Sequence, residues 1–67
     1  MRHLHHAKRF TLRRLDLLKD NAMLAMGHSD GDTILDNYYR LMAQISSAED
    51  EHTLSLIPLT DDALLAT

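Results

Sequence analysis

Apolar positions along this chain recur at intervals of three and four and nowhere alternate, the spacing of helix faces rather than of strands. Leu4, Ala7, Thr11, Leu15, Leu18 and Ala22 form one such stripe, with Lys8, Arg9 and Arg13 off it, which predicts an amphipathic helix over 5–19. Asp20 or Asn21 offers a cap for a second short helix running to Met26. Gly27 stands where a left-handed residue would close that helix, so a tight turn is expected after Met26. Ser29, Asp30 and Asp32 are candidate caps for a third helix, whose inner face would be Ile34, Tyr38, Leu41 and Ile45 with Leu35 and Met42 beside it. Ser46-Ser47-Ala48-Glu49 has the capping-box pattern and predicts a short helix toward Leu56, ended by Pro58. Thr60-Asp61-Asp62-Ala63 can begin a last turn that is too short to persist unless it docks. The expected fold is all-α, a small bundle of three to five short helices.

Size and composition narrow the function classes. With 67 residues there is one small domain at most, of marginal stability and too short to hold a complete enzyme active site of its own. A chain that is 45% hydrophobic and 25% charged is too apolar to be wholly disordered and too polar to span a membrane. The lack of cysteine excludes a disulfide framework and a thiolate metal site, and neither end reads as a secretory signal, so a cytoplasmic setting is expected. The net charge of -3 conceals a gradient: the first twenty residues carry six Lys or Arg against Asp16 and Asp20, a net of +4. From Leu41 onward Glu49, Asp50, Glu51, Asp61 and Asp62 meet no Lys or Arg, a net of -5. The basic first third is suited to phosphates, or is simply a solvated helix face.

The stretch with chemical content is Ala25-Met26-Gly27-His28-Ser29, followed after a polar loop by Thr33-Ile34-Leu35-Asp36-Asn37-Tyr38-Tyr39-Arg40. It resembles the C-terminal end of the catalytic domain of tyrosine recombinases, the phage-integrase family. In that family a Gly-His-Ser turn follows a helix, and a Thr-containing helix then carries the tyrosine nucleophile nine or ten residues past the histidine. Here Tyr38 lies ten positions after His28 and Tyr39 eleven. The spacing favours Tyr38 and the Tyr-Arg-Leu context favours Tyr39. The resemblance implies that residues 2–58 are a partial integrase-like segment, with 59–67 a C-terminal tail. It implies that the helices are the last ones of such a domain, and that the partner is double-stranded DNA reached through a larger catalytic unit. His28 would donate a hydrogen bond to the phosphate while a tyrosine oxygen attacks phosphorus and becomes a 3′-phosphotyrosyl link.

The family also needs a first arginine, a strand-borne lysine and a His/Lys-x-x-Arg element. Only Arg2-His3 stands near that last element, and the usual small residue two further on is absent. A pocket lacking most of its cationic donors is expected to be inactive alone, with an upstream catalytic half or a homo-oligomer as its complement. No cofactor is implied. His3, His5 and His6, with His28 or His52, suggest a solvent-facing histidine cluster rather than a metal site, since neither cysteine nor carboxylate stands at ligand spacing. Met23, Met26 and Met42 read as adaptable core filling. Two other readings stay open. In one, a small helical DNA-binding or protein-interaction module uses the basic first helix and keeps Tyr38 as core. In the other, Leu54, Leu56, Ile57, Leu64 and Leu65 belong to a docking segment that folds on a partner.

Overall fold

The computed structural model describes residues 2–67, with side chains from residue 3 onward. Its elements are α1 (Arg2–Ser47), α2 (Glu51–Ser55) and α3 (Asp61–Leu65), and no strand occurs among the described residues. The fold is all-α, as the periodicity requires. Helix α1 is two arms joined at Asp30, the residue whose torsions (φ -122, ψ 16) leave the helical region. Drawn straight, 46 residues would extend for about 69 Å at the usual rise of 1.5 Å per residue. The longest dimension of the molecule is 40 Å, because the second arm folds back along the first.

Two contacts fix the antiparallel register. Tyr38 on the second arm bonds Asp16 on the first, and Lys8 Nζ donates to the carbonyl of Ser46 at 2.7 Å. In both pairs the residue numbers add to 54, so the arms run alongside one another without slippage. Lys8 also places a cation against a carbonyl at the C-terminal end of α1, where the helix dipole favours it.

The expected break at Asp20-Asn21 does not occur: the first arm runs through it as one helix. Neither proline nor glycine interrupts residues 2–26, and Leu, Ala, Met, Arg and Lys are all strong helix formers. Asn21 is left exposed mid-helix, and Asp20 pairs with Lys19 at 3.0 Å instead of capping. The bend comes four residues later than the expected turn after Met26, and no glycine adopts a positive φ. Gly27 is therefore not a left-handed cap. Its role is steric: a Cβ on Gly27 would stand 3.3 Å from Met23 Cε, and one on Gly31 would stand 3.7 Å away. The two glycines leave room for the Met23 side chain at the base of the hairpin.

The core is one cluster: Leu15 and Ala22 from the first arm, Ile34, Leu41 and Ile45 from the second, and Ala48, Leu54 and Leu64 from the C-terminal part. Leu4, Ala7, Leu18, Met23, Tyr38 and Met42 pack around it half-buried, as the two stripes predict, whereas Met26 is exposed. The expected capping box is displaced. Ser46 and Ser47 stay in α1, and α2 is capped by Asp50, whose carboxylate accepts the Thr53 N–H at 2.7 Å. Asp50 has the extended backbone that a cap needs, which helical Ser46 and Ser47 lack. Thr60 caps α3 through Ala63 N–H at 3.2 Å. The stretch 59–67 therefore holds a helix that docks, with Leu64 fully buried.

Asn37 anchors that docking. It is buried, and its Nδ2 donates to the carbonyls of Leu64 at 2.8 Å and Ala66 at 2.7 Å. Its Oδ1 accepts from Arg40 Nη2 at 2.9 Å. A buried amide is tolerable when its donors and acceptor are satisfied, and here they also satisfy carbonyls at the end of α3.

Candidate functional site

Tyr38 sits about two turns past the bend, on the side of the second arm that meets the first. That position is a consequence of the stripe it shares with Ile34, Leu41 and Ile45, so its ring is half-buried beside the core. Its hydroxyl donates to Asp16 Oδ1 at 2.5 Å, and Lys19 Nζ lies 5.1 Å from the ring centroid. The hydrogen bond to Asp16 is the main reason that the phenol's pKa is pushed up to about 12, and burial adds to it. A phenol so held is a poorer source of phenolate than a free one. Lys19 is itself pushed above the usual lysine value by its hydrogen bond to Asp20, so it stays a cation over the ring.

Tyr39 leans edge-on against Tyr38, with ring centroids 5.2 Å apart, and turns outward. It is 61% exposed, so its hydroxyl faces solvent rather than the other arm. Helix geometry requires this divergence, since neighbouring residues project about 100° apart.

His28 is exposed, two residues before the bend. Around it residues 27–33 line a shallow polar depression of about 180 Å³. Asp30 and Asp32 share that depression with His28, and no Lys or Arg does. Asp16, which holds the Tyr38 hydroxyl, lies twelve residues before His28 on a continuous helix, about 18 Å along the arm. His28 and the Tyr38 hydroxyl therefore do not converge on one point in the closed hairpin. Arg2 begins α1, at the end of the arm away from the bend, and its side chain lies outside the described residues.

The partners of Tyr38 carried no motif in the sequence. Asp16 and Lys19 are polar residues that become neighbours of a tyrosine only once the arms close. Asn37 had a legible signal, because it falls between Ile34 and Leu41 at helical spacing and so had to face the core. No three His, Asp or Glu residues among those described stand close enough to hold a metal ion. No helix there is long and apolar enough to cross a membrane. Set against protein-family models, curated proteins and solved structures, the chain matches none of them.

Proposed function

We propose that this chain carries the tyrosine-bearing C-terminal part of a DNA breaking-and-rejoining catalytic domain of the tyrosine-recombinase type, inactive on its own. One observation carries the reading. Gly27-His28-Ser29 closes one helical arm immediately before the bend, and the Tyr38-Tyr39 pair rides about two turns into the arm that follows. The resemblance calls for a histidine at the end of one helix and a tyrosine on the next, and this order supports the reading, although His28 is itself still helical.

In such a reaction the tyrosine oxygen bonds to phosphorus and the 5′ oxygen of the next nucleotide leaves, taking a proton. The phosphodiester energy is then kept in the phosphotyrosyl link for rejoining. Cations must neutralise the phosphate oxygens as this happens. Among the described residues only Lys19 stands by Tyr38, and its ammonium is shared with Asp20. The remaining donors would come from an upstream catalytic half or another chain, and the Tyr38 hydroxyl must leave Asp16 before it can attack.

The test is covalent trapping on a nicked suicide duplex. The chain alone should form no adduct. Residues 2–67 grafted onto the upstream part of an active recombinase should form one, lost on replacing the attacking tyrosine by Phe. The distance from His28 favours Tyr38 in that role, solvent access favours Tyr39, and the two Phe variants decide. In the graft His28→Ala should slow trapping by roughly ten- to a thousandfold, the range for one phosphate donor. A folded graft indifferent to both tyrosines would end this reading.

The second reading, a helical DNA-binding module, draws on Arg9, Arg13 and Arg14, all exposed on the first arm. Salt-dependent affinity of the chain alone for duplex, with no covalent product from the graft, would favour it.

A further inference from the structure

The first arm has a second apolar line, on the face turned away from the hairpin. Phe10, Leu17 and Leu24 follow one another at intervals of seven and are 63%, 60% and 86% exposed. At about 100° per residue, seven residues bring the side chain back to within about 20° of the same direction, so the three form a nearly straight strip about 21 Å long. Leu15, fully buried, points the opposite way. Three large apolar side chains in register on one exposed helix face make an unpartnered seam rather than scattered surface residues.

The charges beside the strip specify what covers it. Arg13 precedes Leu17 by four residues and Asp20 follows it by three, which sets both on the same flank, about 40° and 60° from the Leu17 direction. Both are exposed, and the Asp20 carboxylate keeps 62% of its surface open even while paired with Lys19. Asp16 lies on that flank too, but its carboxylate is turned inward to Tyr38. Rotating a second copy by a two-fold axis at Leu17 lays the arms antiparallel. Leu17 then meets Leu17, each Phe10 meets a Leu24, and each Arg13 comes alongside the second copy's Asp20, within about one residue's rise. A parallel pairing would instead put each Arg13 across from the other flank of the second copy, beside Arg14, and each Asp20 beside Asn21, so that no opposite charges meet.

We infer that the outer face of the first arm, centred on Leu17, is a self-complementary docking surface for a second copy of this chain in antiparallel orientation. The inference does not depend on the recombinase reading. The strip is short beside a standard interface of about 800 Å² per partner, so the association is weak and concentration-dependent.

Sedimentation equilibrium of the full chain tests this. The apparent mass should rise from about one chain near 5 µM toward two chains by roughly 500 µM, the weak regime of a small interface. Leu17→Glu should hold the chain monomeric throughout that range while circular dichroism shows its helicity unchanged, since the side chain is exposed. Arg13→Asp alone and Asp20→Arg alone should each weaken self-association at least about tenfold, because each sets like charges together at both of the symmetry-related contacts. An equimolar mixture of those two variants should associate as well as the original chain, since each then supplies the charge that the other lacks. A chain that is monomeric at all concentrations overturns the proposal, as does a dimer that survives Leu17→Glu. A dimer whose charge variants are not restored by mixing overturns the antiparallel register.

Discussion

Tyr38 on the returning arm donates its hydroxyl to Asp16 on the outgoing arm, joining residues 22 positions apart. The bond holds the hairpin closed along its length, and it holds the phenol proton. The most obvious candidate nucleophile is thus, in the closed chain, a cross-arm tie.

The tie should be visible in a near-ultraviolet absorbance titration. One phenol of the folded chain should ionise only at about 12, against an ordinary 10.0. A folded pKa raised above the unfolded one means that the folded state holds the proton more tightly. The contribution to stability is complete below pH 10 and is lost as pH rises through about 12. Asp16→Asn should bring that ionisation back down and remove this part of the alkaline destabilisation. Identical titrations for the two proteins would show that Asp16 does not hold the phenol.

Asn37→Ala should destabilise the chain by about 1–3 kcal/mol, because it strips partners from the buried Leu64 carbonyl and the part-buried Ala66 carbonyl and removes the anchor of α3. Urea unfolding measures the loss, and hydrogen exchange should place its largest effect at the amides of α3. A loss confined to the second arm, with α3 still protected, would mean that Leu64 burial alone docks the helix.

Gly31→Ala distinguishes the observed bend from a left-handed glycine turn. The φ of Gly31 is not positive, and a Cβ there meets Met23 Cε at an ordinary 3.7 Å. The substitution should therefore stabilise by about 0.4–1 kcal/mol, through a less flexible unfolded chain. Gly27→Ala should be close to neutral, as its Cβ would press at 3.3 Å on the flexible end of Met23. A marked loss of stability in thermal melts of either variant would contradict this backbone.

The all-α class and the inner faces were legible because Leu15, Ala22, Ile34, Leu41 and Ile45 repeat at the helical period and all become buried. Thr60 was legible as a cap because Thr60-Asp61-Asp62 precedes the only apolar residues able to dock α3. Segment boundaries were not. Asp20-Asn21 has the chemistry of a cap, yet the helix formers on either side carry the chain through it. Gly27 has the chemistry of a terminator, yet it serves to admit Met23. The Tyr38-Asp16-Lys19 grouping was hidden for a different reason: it exists only after the arms meet, and no local pattern records which residues will face one another. The outer line of Phe10, Leu17 and Leu24 was masked by the inner stripe on the same arm, since apolar residues on two opposite faces blur the contrast that marks an amphipathic helix.

The bend at Asp30 also bears on how fast the molecule assembles. Its arms are consecutive in sequence, so the first approach across the bend, Met23 to Gly31, closes a loop of only a few residues at little entropic cost. Each later pair is brought near by the one before: Tyr38 with Asp16, then Ser46 with Lys8. Chains whose contacts are this local fold on the order of microseconds to milliseconds. Closure should therefore zip outward from the bend, with the docking of α3 on Asn37 following once the second arm is in place.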